Sequence, residues 1–266
     1  NGMNWIHRKL RVPVGYFLRC EVNNRILRFI RNNLADAIIY QSQFACKWWQ
    51  TVYGSVRIPS SVIYNGVDLN EFSPDGDAPP PTDSYRLLMV EAHIGGGYER
   101  GLDTAVKLAQ ILNRQMDKPV RLTVAGSAPE HLKTYWSRQS GNMVDWAGVV
   151  PGDQIAGLDR SAHLLFSADL NAACPNSVIE ALACGCPVLA YATGSLPEII
   201  FGNAGLVVPY GSNYWNLENP DIDGLAKAAS DILTNQEKFR EPARKRAEEG
   251  FSLSDMVERY ISVLFD

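Results

Sequence analysis

From Arg86 onward, short apolar runs alternate with amphipathic helical stretches, and this alternation constrains the fold more than any other feature. Arg86-Leu87-Leu88-Met89-Val90 reads as a buried strand. Leu102, Ala105, Val106, Ala109 and Leu112 then recur at the spacing that lines one face of a helix. Residues 120–125 form the next strand, ended by Gly126; Val144-Asp145-Trp146 closes at Gly148, and Leu164-Leu165-Phe166 follows. A helix is predicted from about Ser177 to Cys184, with Gly185 as its stop, and residues 187–191 and 205–208 supply two more strands. Strands that are apolar on both faces and alternate with helices require a parallel sheet covered on each side. The fold class is therefore α/β, a Rossmann-like doubly wound sheet with right-handed crossovers.

The two ends differ from this middle. Before residue 60 there are a basic helical stretch to about Leu34, a strand-like Ala37-Ile38-Ile39-Tyr40, and a helix carrying Trp48 and Trp49. Ser61-Val62-Ile63-Tyr64 follows, before an Asn65-Gly66 turn. One strand and two helices bury little on their own, so residues 1–60 read as a remnant of a larger domain. Residues 61–250 form the main domain, with a proline-rich linker at 75–84. Residues 251–266 are a terminal helix in which Leu253, Met256, Val257, Tyr260, Ile261 and Leu264 make an apolar stripe. Opening at Asn1 in mid-pattern, the chain reads as a piece of a longer protein.

A net charge of -4 gives no general attraction to nucleic acid. Five cysteines without a CxxC pair, beside four histidines, argue against a zinc site or a disulfide framework and for a reducing, cytoplasmic setting. No metal or other cofactor is expected. No apolar run approaches the roughly 20 residues that span a bilayer.

Three segments carry candidate chemistry. In Cys174-Pro175-Asn176-Ser177-Val178-Ile179-Glu180, Asn176 is a good N-cap and the amides of Ser177 and Val178 open a helix. Such an end holds anions, a diphosphate among them. Glu180, one turn further, can accept hydrogen bonds from two adjacent hydroxyls, although an ordinary capped helix with a solvated glutamate fits the same residues. In Gly95-Gly96-Gly97-Tyr98-Glu99-Arg100-Gly101, Gly96 and Gly97 permit close backbone approach and Arg100 can fork onto a phosphate. The spacing matches neither a dinucleotide fingerprint nor a P-loop, and a plain βα loop is the competing reading. His93, at the end of the first strand, stands where open α/β sheets bind ligands, yet a lone histidine is more often structural.

Together these segments resemble the retaining GT-B glycosyltransferases of family 4, also called glycosyl transferases group 1. The resemblance covers nearly the whole chain in order. It runs through residues 35–44, Val62-Ile63-Tyr64-Asn65-Gly66-Val67-Asp68 with Phe72 and Pro74, Gly148-Val149, residues 175–187, and Thr193-Gly194-Ser195-Leu196-Pro197-Glu198. It implies a UDP- or GDP-linked sugar as donor, a glycan or lipid-linked acceptor, and work at the inner face of a membrane or peripheral to it. Glu180 would hold the ribose, while Gly96, Gly97, Arg100, Ser177 and Val178 would hold the diphosphate. Gly148 and Val149 would meet the base, and His93 and Asn176 are possible sugar or phosphate contacts. The last helix would cross back onto the N-terminal part. Two departures matter: the family's acidic position, eight before the ribose glutamate, is Ala172, with Asp169 the nearest acid upstream, and Glu91-Ala92-His93 replaces the arginine after the first strand. A non-catalytic partner subunit and a sugar-nucleotide epimerase are the alternative functions.

Overall fold

The computed structural model describes residues 3–95 and 99–265. The chain begins with α1 (Val14–Asn33), β1 (Ile38–Tyr40), α2 (Gln43–Tyr53) and β2 (Ser60–Val62). The alternating part follows as β3 (Tyr85–His93), α3 (Glu99–Gln115), β4 (Val120–Ser127), α4 (Glu130–Ser140), β5 (Val144–Gly148), α5 (Gly152–Arg160) and β6 (Leu164–Ser167). It continues through α6 (Asn176–Ala183), β7 (Val188–Tyr191), α7 (Leu196–Ile199) and β8 (Gly205–Val208), and closes with α8 (Ile222–Thr234), α9 (Gln236–Gly250) and α10 (Leu253–Phe265).

Six strands form one wholly parallel sheet in the order β5-β4-β3-β6-β7-β8. This is the doubly wound order, with the chain reversing its direction of travel between β3 and β6. The period-2 alternation of each strand sorts its side chains into two cores. Leu87, Met89, Leu164, Phe166 and Leu189 pack with α3 and α8 on one face. Leu88, Leu165, Val188 and Ala190 pack with α6 and α9 on the other. Burying each such aliphatic or aromatic side chain contributes roughly 1.5–3 kcal/mol before entropy is counted, so the two layers define one stable unit.

β1 and β2 make a separate two-stranded parallel sheet, Ile38 opposite Ser60 through Tyr40 opposite Val62. Its core is small, with Met3, Tyr40, Trp48 and Trp49 buried. α1 leaves Val14, Leu18, Val22, Ile26 and Phe29 exposed, and α10 leaves Leu253, Val257, Ile261 and Leu264 exposed. α10 also returns to the small sheet. Val67 and Ser252 form a parallel bridge, and the Arg259 guanidinium donates to the Val62 carbonyl at 2.7 Å.

Candidate functional site

The C-terminal ends of the strands carry nearly all the residues singled out above. α6 begins at Asn176 with Pro175 as its N-cap, so the expectation of Asn176 as the cap is corrected. Proline has a fixed φ and no N–H, which lets it end the incoming loop and leave the helix to start one residue later. The Asn176 Oδ1 instead accepts from the Asn65 side chain at 2.7 Å. Asn65 also donates to the Cys174 carbonyl at 3.1 Å and accepts from Gln41 at 2.8 Å. One side chain thereby ties β1's exit, the turn after β2 and the mouth of α6 together.

The first-turn amides of Asn176, Ser177 and Val178 have no hydrogen-bond acceptor among the described residues; the first amide of α6 that is satisfied is Ile179, on the Pro175 carbonyl. Three free donors at the positive end of a helix dipole form an anion cradle. Glu180 is half-buried, and its carboxylate has neither a hydrogen bond nor an ion pair among the described residues. Burial raises its pKa, and the charge of Glu71 raises it further. Asp159 of α5 lies wholly buried behind it without a partner, raised by burial and then by Glu180.

Arg100, the second residue of α3, is exposed and reaches the Glu218 carbonyl at 3.5 Å. His93 ends β3 and is exposed, its ring lying over Gly95, where a Cβ would come within 2.8 Å of the imidazole. Gly148 ends the edge strand β5 at φ +70, and Val149 after it is 76 % exposed. Gly96 and Gly97 lie outside the described residues.

A cavity of about 210 Å³ sits over the switch point between β3 and β6. Its floor comes from Glu91, Asp169, Asn171 and Ala172, its rim from Arg100, and its lid from residues 3–7 of the N-terminal segment. That segment is held by Trp5 against Trp215, with ring centroids 5.2 Å apart, and by Lys9 on Asn216 at 2.8 Å. A neighbouring cavity of about 340 Å³ shares Arg100 and Ala168 and is lined by Tyr135, Trp136, Tyr191 and Tyr210. Ala172 and Arg100 thus belong to the enclosed space, while His93, Gly148, Val149, Ser177, Val178 and Glu180 line neither cavity.

Glu91 and Asp169 come from opposite sides of the switch point, and both are half-buried. Burial pushes the Asp169 carboxyl up to about 6. Burial, and after it the charge of Asp169, holds Glu91 well above the usual range. The loop carrying Asp169 and Ala172 is pinned from below: Ser195 donates its amide to the Ala172 carbonyl at 3.0 Å, and the Thr193 hydroxyl to the Asp169 carbonyl at 3.2 Å.

The motifs did not point to His7, Glu21 or Asn171. His7 and Glu21 belong to elements with no periodic relation, so their 2.8 Å contact has no signature in sequence. The one available cue to Asn171 was its type, since Asn tolerates the left-handed conformation, found here at φ +64.

Sheet order and layering define the class, a doubly wound α/β domain, and solved GT-B glycosyltransferases share it. The chain superposes on sucrose-phosphate synthase of Thermosynechococcus elongatus with a TM-score of 0.76 and 22% identity, over 92% of this chain and 61% of that one. It superposes on the Anabaena protein HepE in complex with UDP and glucose with a TM-score of 0.68 and 18% identity, over 92% and 67%. The chain belongs to the glycosyl transferases group 1 family, whose sequence pattern matches residues 81–250. Among curated proteins it is 24% identical to the phosphatidylinositol N-acetylglucosaminyltransferase gpi3 subunit of Schizosaccharomyces pombe, across 90% of this chain and 50% of that protein. It is also 24% identical to 2-deoxystreptamine N-acetyl-D-glucosaminyltransferase of Streptomyces fradiae, across 61% and 36%. The chain spans about half the length or less of these two relatives.

Proposed function

We propose that the chain is the donor-binding part of a retaining, family 4 glycosyltransferase that moves a sugar from a nucleoside diphosphate to a glycan or lipid-linked acceptor. Residues 1–60 are then a remnant of the acceptor-binding domain, 61–250 the donor domain, and 251–266 the helix that ties them. The observation that carries the reading is the start of α6, where three unpartnered amides stand one turn from the unpartnered Glu180. The amides of Ser177 and Val178 would take the diphosphate, with Arg100 approaching from the β3–α3 side; Gly96 and Gly97, assigned to the same phosphates, lie outside the described residues. Glu180 would accept from the two ribose hydroxyls, and the backbone at Gly148 and Val149 would meet the base. A relative solved with UDP and glucose, and relatives named as N-acetylglucosaminyltransferases, favour a UDP-linked hexose or hexosamine over a GDP-linked one.

Calorimetric titration with UDP and GDP tests this. Micromolar to millimolar binding of one of them is expected, and Glu180→Ala should weaken it by about tenfold or more, the loss of two hydrogen bonds to a charged acceptor. Absence of binding by either nucleotide at millimolar concentration would overturn the assignment.

A second reading, a non-catalytic donor-binding subunit, is favoured by one observation. Where transfer requires charge stabilisation around the donor, the cavity carries Ala172 at the family's acidic position and sets the Glu91–Asp169 pair against a single guanidinium, that of Arg100. Release of free nucleotide from a UDP-sugar by the full-length protein would rule this reading out.

A further inference from the structure

Residues 209–221, between β8 and α8, form a strap that is fastened along its whole length. At its ends, the Tyr210 carbonyl accepts from the Asp221 amide at 2.7 Å, and the Tyr191 hydroxyl donates to the Asp221 carbonyl at 3.0 Å. Inside it, the Asn213 side chain accepts from the Asn216 amide at 3.2 Å, and the Glu218 carboxylate accepts from the Asn213 amide at 2.9 Å. Leu217 stands at φ +57, a left-handed conformation that a bulky residue keeps only where its surroundings over-determine it. So many fixings on so short a segment give it one shape.

That shape presents two groups. Towards α3, the Tyr210 hydroxyl donates to the Glu218 carbonyl at 2.7 Å, and the same carbonyl accepts from the Arg100 guanidinium at 3.5 Å. A hydroxyl has one proton to give, so the Tyr210 oxygen keeps its lone pairs for a second donor. Arg100 is the cation beside it: burial raises the Tyr210 pKa, and the charge of Arg100 opposes that rise. The Arg100 side chain is exposed, long and rich in rotamers, and fixing it in advance lowers the entropy cost of gripping a phosphate.

Towards the N-terminal part, Trp215 stands between Trp5 and Trp48, with ring centroids 5.2 Å and 5.3 Å away and both pairs edge to face. Such pairs contribute beyond the area they bury. Lys9 adds its 2.8 Å bond to the neighbouring Asn216. The strap therefore touches Arg100 with one end of its sequence and residues 5–48 with the middle.

We propose that residues 209–221 are the positioning strap of the diphosphate site: Tyr210 and the Glu218 carbonyl hold the Arg100 guanidinium, and Trp215 makes that hold depend on the docked N-terminal part. The proposal rests on the donor-binding reading above and adds a dependence to it, since the grip on the donor is then set by a loop outside the α6 start. Tyr210 and Trp215 are positioning residues that act through Arg100.

The test is calorimetry on the full chain with UDP, or with GDP where UDP does not bind, for single variants and for their combinations with Arg100→Ala. Tyr210→Phe, which removes one oxygen and keeps the ring, and Trp215→Ala should each weaken binding by about three- to tenfold, the effect of about one hydrogen bond. In an Arg100→Ala background the same substitutions should change affinity by less than about twofold, because residues acting through one side chain are not additive. Trp215→Phe, which keeps an aromatic ring between Trp5 and Trp48, should recover most of what Trp215→Ala loses. Near-ultraviolet circular dichroism checks the fold of each variant, and if Trp215→Ala does not fold, Tyr210→Phe and its combination with Arg100→Ala decide the matter. Equal losses in the wild-type and Arg100→Ala backgrounds, or a folded single variant that binds as tightly as wild type, would overturn the proposal while leaving the donor site standing. So would an Arg100→Ala variant of unchanged affinity. Failure of the unmodified chain to bind either nucleotide would overturn the donor reading and the proposal with it.

Discussion

At the scale of single residues, the site is organised by groups that lack the partners their burial calls for. Asp169 shows how this affects the whole protein. Its folded pKa of about 6 lies above the ordinary carboxylate value, so the folded state holds a proton that the unfolded chain releases earlier. That contribution is fully present below the ordinary pKa, near 4, and is lost as pH rises through about 6. Glu91 acts in the same direction. Unfolding temperature should therefore fall between about pH 4 and pH 6.5, and the slope should flatten in Asp169→Asn; a slope unchanged by that substitution would locate the titrating group elsewhere. The other ionisable groups that line the cavity with the pair are Arg100, His7 and Tyr16. As the pair gains protons, an approaching diphosphate meets less repulsion. Nucleotide affinity should thus rise by several-fold from pH 8 to pH 5.5 in the wild type, and less in Glu91→Gln, as read by calorimetry at each pH.

At the scale of elements, the N-termini of two helices are treated in opposite ways. The start of α2 is saturated. Glu198, from α7, accepts from the amides of Gln43 at 2.9 Å and Phe44 at 2.6 Å and from the Tyr64 hydroxyl at 2.8 Å, while Ser42 caps Ala45 at 3.0 Å. Burial, and after it this carboxylate, push the Tyr64 hydroxyl up to about 12. The start of α6 is left open. A saturated end does structural work, whereas an open one at the sheet's C-terminal edge is available to a ligand. Glu198→Ala should accordingly cost about 1–2 kcal/mol in a denaturant titration, the usual range for a lost cap, and leave nucleotide affinity intact. A second element-level dependence lies in the β7–α7 turn. Gly194 sits at φ +58, and a Cβ there would come within 2.7 Å of the Ala172 amide and 2.8 Å of its carbonyl. Gly194→Ala should push away the loop bearing Asn171 and Ala172 and lower sugar-nucleotide affinity well beyond any loss of stability, measured by titration alongside thermal unfolding.

For the molecule as a whole, the sequence was most informative where burial left little choice. Strands such as Leu87-Leu88-Met89 and Leu164-Leu165-Phe166 are apolar on both faces because helices cover both sides of the sheet, and that alone predicted the doubly wound architecture. The same reasoning reached Ser177, Val178 and Glu180, because a loop, a helix start and a carboxylate one turn on are consecutive in the chain. It did not reach the lid. Trp5 and His7 line the cavity there, in a segment held by Trp5 on Trp215 and Lys9 on Asn216, contacts more than 200 residues apart that no local pattern encodes. It placed Asn65 in a turn but did not reach its bonds to Gln41, Cys174 and Asn176, which join the small sheet to the large one. Asn65→Ala should lower stability by about 1–3 kcal/mol, seen as a shift in denaturant midpoint with the slope unchanged. The exposed apolar faces of α1 and α10 are consistent with a chain that spans only part of its relatives' length.

The most direct measurement is a crystal structure of the chain soaked with UDP or GDP. The account predicts phosphate oxygens within hydrogen-bond distance of the Ser177 and Val178 amides and both ribose hydroxyls on the Glu180 carboxylate. A nucleotide bound away from the α6 start, or a Glu180 that stays unengaged while the nucleotide is held elsewhere, would contradict it.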